Sequence, residues 1–546
     1  MKRTFAAVLF LMLATTVSAE ERLRYAVALR GPVLAHTAPE FAGIDIAQRD
    51  YQPMLNLSAY AADLTAAEAA ELRKQRGVRY VEQAITYRKL DVVALPPAAV
   101  DGTRNLNGQT VPYGIDLVHA RDTWQVVRGG GINVAVVDTG IDYNHPDLKD
   151  DYAGGFNAIT RSNDPLDDDG HGTHVAGTIA ATDNGLGVVG VAPLAKIWAV
   201  KVLDSKGEGT TINIAAGIDW VISQKSAVGG DWIINMSLGD SRSSQIMKDA
   251  CQRAADAGIL LVAASGNEST ATLPAAVDFP AAFPTVVAVG AIDSTSTIAE
   301  FSNQGPELAI VGPGVNVLSS VPQTTGEISF VTQGTSSFDA IHVEGSPKGT
   351  LTGPFVFCGQ GHVGEFPASV SGKIALIQRG DITFHDKAKN AKTAGAIAVL
   401  IFNNERPFSP FTFIGDDPTD ATFPWPLAVG ITAEDGAAIK ANPDATITIA
   451  YKNDDYALFS GTSMATPHVA GVAALVWSAA PNATPAQVRT ALLSGTKDLG
   501  AAGVDTVYGS GLVNAFEAGK LLAPEKFGSG TTPPPQLPNG RRILHR

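Results

Sequence analysis

Cysteine is nearly missing from this 546-residue sequence, with only Cys251 and Cys358 present. Two thiols cannot build a disulfide framework; they read as packed free cysteines, with a single bridge left open. Charged residues are scarce at 17%, aromatics amount to 7%, and hydrophobic residues make up 45%. That balance excludes a disordered or fibrous chain. A basic surplus is also lacking: the formal net charge of −14 excludes a general nucleic-acid or anionic-membrane binder, both of which need a basic face. Long apolar runs are absent but for Phe5 to Val17, too short to span a bilayer. With Lys2 and Arg3 before it and Val17-Ser18-Ala19 closing it, that run has the pattern of a secretory signal over residues 1–19. An extracellular protein without a membrane span is expected.

Glycine, in contrast, is abundant at 55 residues, and proline numbers 32, with no collagen period. Tight turns and close backbone approaches follow. The length asks for several domains. Residues 20–89 read as a small α+β module whose helix opens on Thr65-Ala66-Ala67-Glu68, a capping box. Residues 90–108 lack periodicity and form an exposed linker, a natural place to be cut. Over 109–322, apolar runs at Ile132–Val137, Ile197–Val202, Trp232–Met236, Ile259–Ala263 and Val286–Val289 alternate with helical patterns. Near-continuous apolar strands separated by helices imply an α/β fold with a parallel sheet covered on both faces. Residues 323–453 interrupt this rhythm as a β-rich insertion, and helical sequence resumes over 454–522. The Gly- and Pro-rich tail, 523–546, is low-complexity.

Three segments place a reactive side chain at the end of an element. Asp138 follows Val134-Ala135-Val136-Val137, at the carboxyl end of a strand, where open α/β sheets carry their sites. His171 lies in Asp169-Gly170-His171-Gly172-Thr173-His174, and Ser463 in Gly461-Thr462-Ser463-Met464-Ala465-Thr466-Pro467-His468, each entering a helix. Pro467 is expected in the first turn of its helix, where proline is tolerated, and His468 is expected to be packing. A serine hydroxyl attacks a carbonyl only when a histidine takes its proton and a carboxylate fixes that histidine. Asn267, in Ser265-Gly266-Asn267-Glu268, can aim an amide at the resulting oxyanion together with the Ser463 backbone N–H. Singly, each residue reads as a turn former or a helix cap; their joint occurrence carries the inference. Zinc and an EF-hand are excluded by spacing: His-Glu-x-x-His is missing, and Pro165 and Ala176 occupy positions a calcium loop needs. Ala465 breaks the Gly-x-Ser-x-Gly elbow of lipases.

Val136-Val137-Asp138-Thr139-Gly140, His171-Gly172-Thr173-His174-Val175-Ala176-Gly177 and Gly461-Thr462-Ser463-Met464-Ala465-Thr466-Pro467 resemble the three signatures of subtilisin-like serine proteases, in that family's chain order. The resemblance implies a three-layer α/β fold and a secreted serine endopeptidase made as a self-processing zymogen. It places substrate-pairing edges at Gly207 and Gly209 and at Ser237, Leu238 and Gly239, for extended protein or peptide substrates. Asp278 falls near the base of the primary pocket, where a carboxylate would favour Lys or Arg before the scissile bond. Gln109, Asp147 and Asn184 match side-chain ligands of a structural Ca²⁺ site, completed by the backbone oxygens of Thr182, Leu186 and Val188. The front module resembles the inhibitory propeptide, an intramolecular partner, and the stretch from Gly372 to Ala396 resembles an inserted protease-associated (PA) domain. Ile382 stands where many such domains carry cysteine, which speaks against a local disulfide. A monomer is expected. A silent binding protein or a serine esterase would share these signatures and are distinguished by reactivity and substrate.

Overall fold

The computed structural model describes residues 21–34, 40–41, 43–90, 104–106, 109–334, 336–403, 411–412 and 422–528. The signal pattern, most of the 90–108 linker and most of the tail lie outside the described residues. The chain divides into two units, residues 1–84 and 85–546.

In the first unit, Leu23–Leu29 sits in an antiparallel sheet between Ala59–Leu64 and Val78–Gln83, with Gln52–Met54 at one edge. Val27 pairs with Tyr60 on one side and Val81 on the other. The helix Ala66–Arg73 begins at the expected capping box: Thr65 Oγ1 accepts the Glu68 N–H at 3.1 Å and Glu68 Oε2 accepts the Thr65 N–H at 2.9 Å. Two orphan amides of the helix start are thereby satisfied. Leu64, Leu72 and Val27 fill the core between helix and sheet.

The second unit is organised by seven parallel strands: β1 (Ile132–Asp138), β2 (Tyr152–Asn157), β3 (Lys196–Lys201), β4 (Asp231–Met236), β5 (Ile259–Ala264), β6 (Val286–Ile292) and β7 (Leu308–Pro313). Their order is β2-β3-β1-β4-β5-β6-β7. Val136 pairs with Ala199 of β3 and with Asn235 of β4, so β1 is central and the strand order reverses around it. Val134 through Asp138 are all fully buried, as a strand covered on both faces requires. Helices α1 (His171–Ala180) and α4 (Thr462–Ala479) pack together on the sheet, while α2 (Thr211–Val228) and α3 (Gln245–Asp256) form a second packed pair. This is the expected three-layer α/β architecture.

The stretch 323–453 forms two further sheets. One is antiparallel and built on Gly326–Gln333 paired with Ile447–Asp454; the other contains the expected strand–helix–strand run, Ile374–Gln378, Phe384–Thr393 and Ala398–Phe402. Both cysteines are buried and unpaired, and burial raises the Cys251 thiol to about 12 and the Cys358 thiol to about 11.

Two expectations are modified. The first unit ends at Ala84, and Thr86–Lys89, the last residues of the expected front module, form a strand of the second unit. Pro467 does not fall in the first turn, because α4 already starts at Thr462. The proline has no N–H to offer the Ser463 carbonyl one turn back. Ser237 replaces it, donating its hydroxyl to Ser463 O at 2.8 Å.

Candidate active site

Asp138 is the last residue of β1, paired with Lys201 of β3. It therefore stands at the carboxyl edge of the sheet, at the point where strand order reverses, the place open α/β sheets use for sites. His171 is the first residue of α1, and its Nδ1 lies 2.8 Å from Asp138 Oδ1, with both side chains inaccessible to solvent. The helix can approach so closely because residue 172 is glycine: a Cβ there would lie 2.1 Å from the Gly140 carbonyl. Thr139 fixes the pair twice, its N–H donating to Asp138 Oδ1 at 2.7 Å and its hydroxyl accepting the Gly172 N–H at 2.8 Å. His171 Nε2 and Asp138 Oδ2 are buried without partners. An ionisable pair held in this way keeps one imidazole nitrogen for a reacting group.

Ser463 enters α4 beside the end of β4, and its hydroxyl donates to the Ser237 carbonyl at 2.9 Å. Serine and Ser237 thus bond reciprocally, and the hydroxyl points at Ser237 rather than at His171. Asn267 follows β5, two strands from β1. Its Oδ1 accepts the Thr462 N–H at 2.9 Å and the Thr462 hydroxyl at 2.8 Å, which orients the amide beside Ser463. His468 is buried on α4 against Gly114, with its Nδ1 2.8 Å from Met464 O, and burial lowers it to about 4.

The two predicted edges are strands, Glu208–Thr210 and Leu238–Gly239, and a third strand lies between them: Thr86–Lys89, antiparallel to both. Tyr87 pairs with Gly209, Arg88 with Gly239 and Lys89 with Leu238, while the Lys89 N–H donates to Gly207 O at 2.8 Å. Gly207 has φ +72°, and a Cβ there would lie 2.5 Å from the Lys89 side chain, so glycine is required both by the turn and by the strand passing over it. Leu90, the residue after Lys89, is almost fully buried, and Ser237 is the residue before Leu238, the partner of Lys89.

Asp278 is buried, and burial together with the neighbouring carboxylates of Glu268 and Asp240 pushes it up to about 8. The Asp278 carboxyl therefore keeps its proton at neutral pH and shares it with Glu268 through a hydrogen bond. The Arg242 guanidinium holds Asp240 below its ordinary range.

The calcium candidates also converge. The buried Gln109 amide lies 2.7 Å from Thr182 O, 2.6 Å from Val188 O and 3.4 Å from Asn184 Oδ1. Asp147 accepts the Val188 N–H at 3.0 Å and the Asn184 amide at 3.3 Å, while the Leu186 N–H donates to Asn184 Oδ1 at 2.8 Å. Burial raises the Asp147 carboxyl above its ordinary value. Among the described residues no group of three or more His, Cys, Asp or Glu is placed to hold a metal; these donors are mostly amide and carbonyl oxygens.

Sequence reasoning missed four neighbours of the site. Thr462 orients Asn267; Glu268 shares the Asp278 proton; Asp169 meets Lys89. Lys201 is buried with its ammonium on Thr139 O at 2.6 Å, Leu203 O at 2.9 Å and Asp168 at 2.6 Å, bracing the loop after Asp138. Thr462 and Glu268 adjoin the serine and asparagine in sequence, a usable signal; Lys201 and Asp169 carry none without their distant partners.

Fold and site together define a parallel α/β protein with an Asp–His pair at the sheet's carboxyl edge and a serine in the first turn of a helix packed against the one that carries the histidine. The chain belongs to the Subtilase family, whose profile matches residues 129–343 and 378–511. It is 40% identical over 271 residues to Subtilisin E of Bacillus subtilis, covering 49% of this chain and 65% of that protein's length. It is 37% identical over 340 residues to the Thermostable alkaline protease of Halalkalibacterium halodurans, covering 62% and 83% of the two chains. The crystal structure of the psychrophilic subtilisin-like protease Apa1 from Pseudoalteromonas sp. AS-11 superposes with a TM-score of 0.60 at 31% identity, over 77% of this chain and 99% of that one.

Proposed function

We propose that the protein is a secreted serine endopeptidase made as a self-processing zymogen. The observation that carries this reading is the peptide strand Thr86–Lys89 held by its backbone between two edges, with Lys89 paired to Leu238, the residue after the Ser237 carbonyl that Ser463 touches. Recognition by backbone pairing on both sides needs no chain terminus, which suits cleavage within chains. Ser463 rotates from Ser237 to His171 Nε2 and attacks; the imidazole takes the proton, and Asp138 stabilises the imidazolium. Asn267 and the Ser463 N–H hold the oxyanion. His171 then protonates the leaving amine, and water releases the acyl group. With an unfolded protein as substrate, internal fragments are expected; hydrolysis of small esters alone would identify an esterase instead.

Residues 20–89, with Leu90 as the last residue before the cut, act as the inhibitory propeptide and 323–453 as a non-catalytic PA module in a monomer. The leader pattern supports export, and among the described residues no helix is long and apolar enough to cross a membrane. Calcium fits the set around Gln109: turning that amide end for end presents Oε1 to the oxygens of Thr182, Val188 and Asn184, with Asp147 supplying charge and the Leu186 carbonyl completing the set. The ion would brace the loop. Chelation should therefore lower the melting temperature by several degrees, since a ligand at a hundredfold excess over Kd contributes about 2.7 kcal/mol. An unchanged melting curve would remove calcium from the account.

The expected pull of Asp278 on Lys or Arg depends on pH. Below about 8 the Asp278 carboxyl keeps its proton; above it Asp278 is ionised. The ratio of kcat/KM for matched Arg and Leu substrates should rise several-fold between about pH 7 and 9. A flat ratio would show that Asp278 does not face the bound side chain.

A further inference from the structure

Asn303 lies buried in the loop between β6 and β7, and its hydrogen bonds all go to the segment 265–276 around Asn267. Its Oδ1 accepts the Glu268 N–H at 2.9 Å, the Ser269 N–H at 3.0 Å and the Ser269 hydroxyl at 3.3 Å. Its Nδ2 donates to Glu268 Oε2 at 2.6 Å and to Ala276 O at 2.9 Å. The Asn303 backbone N–H donates to Gly266 O at 3.0 Å, and its carbonyl accepts the Ser265 hydroxyl at 3.2 Å. Turned end for end, the amide would set its NH₂ against two N–H groups and its oxygen against a carboxylate, so one orientation alone is satisfied. Glu268 Oε2 in turn accepts the Asn267 N–H at 2.9 Å. Asn267 is thus bracketed: both of its chain neighbours bond to Asn303, and its own N–H reaches Asn303 through the Glu268 carboxylate. Gly266 makes room for this, with φ +112° and a Cβ position only 2.1 Å from Asn303 Nδ2.

We propose that Asn303 is a positioning residue for the oxyanion site: it fixes the backbone from which Asn267 extends, and it acts on the reaction through Asn267. The inference rests on the peptidase reading. A donor stabilises developing charge fully only when it already stands where that charge appears, because reorganising it during the reaction forfeits part of the effect. Asn267 has two anchors that serve this end. Thr462 holds its side-chain oxygen next to Ser463, and Asn303 holds its backbone to the loop that follows β6. Without the Asn303 side chain, the Glu268 and Ser269 N–H groups lose their acceptor and the Glu268 carboxylate loses a donor, so the turn relaxes toward other partners. The bound substrate carries no oxyanion yet, and the loss therefore falls on kcat rather than on KM.

The test is a double-mutant cycle on the mature enzyme, with variant precursors matured by immobilised wild-type protein that is then removed. The substrate is the peptide Tyr-Arg-Lys-Leu, matching residues 87–90, followed by a chromogenic amide. Removing an oxyanion donor outright costs about 10²–10³ in kcat, a scale known from subtilisin itself. Misplacing it in Asn303→Ala, or in Asn303→Ser should the first fail to fold, should lower kcat by about 10- to 100-fold and leave KM within about threefold. In an Asn267→Ala background the same substitution should change kcat by less than about threefold, because the group it positions is gone. A merely structural role would repeat its full loss there. That repeated loss, an effect confined to KM, or an unchanged kcat overturns the proposal, and so does unfolding of both variants, which would assign Asn303 to the fold alone. No cleavage by the wild type, together with no labelling of Ser463 by a fluorophosphonate, overturns the peptidase reading beneath it instead.

Discussion

Ser463→Ala should leave the precursor full-length and lower kcat by about 10⁶, the scale of the nucleophile knock-out in subtilisin. The effect is large because no neighbouring group can replace the serine. Its hydroxyl stands at the start of α4 against Ser237 O, and Thr462, the adjacent hydroxyl, is committed to Asn267. The substitution removes only an oxygen, so the melting temperature should hold within a few degrees. Processing follows the chemistry: with Tyr87, Arg88 and Lys89 already paired between the cleft edges, the wild type should yield a mature amino terminus just after Leu90. A Ser463→Ala precursor that matures normally in isolation would falsify self-cleavage.

Asp138→Asn should lower kcat by about 10⁴ with a much smaller change in KM, the scale seen for the same change in other Ser–His–Asp proteases. Asp138 Oδ1 receives the Thr139 N–H and faces His171 Nδ1. An asparagine oxygen can keep that position, so geometry survives and the loss is one of charge. In a site closed to water, an imidazolium without its carboxylate is expensive at the moment Ser463 gives up its proton. Stability moves the other way: removing a buried carboxylate with an unpartnered oxygen should leave melting unchanged or raise it. Unfolding of the variant would assign Asp138 a structural role.

The parallel sheet was legible because its strands are buried on both faces and therefore read as unbroken apolar runs; Val134 to Val137 and Ile259 to Ala263 needed no context. The meeting of Asp138 and His171 was legible because small residues around them, Gly140 and Gly172, mark close approaches of backbone to site. Pairings between distant segments were not. Thr86–Lys89 reads as one more strand of the front module until Gly209 and Leu238, more than a hundred residues away, supply its partners. Asp278 reads as a lone pocket charge until Glu268 takes a share of its proton. Pro467 lies beyond the first turn because the helix starts at Thr462, and the consequence one turn back, the Ser237 hydroxyl on Ser463 O, is a tertiary contact that no local pattern announces.

The central claim is that His171, held by Asp138, activates Ser463. Treating the mature protein with a fluorophosphonate and mapping the adduct by peptide mass spectrometry tests it most directly. One adduct on Ser463 is predicted, slowed by several orders of magnitude in His171→Ala; no adduct, or an adduct on a serine other than Ser463, would contradict it.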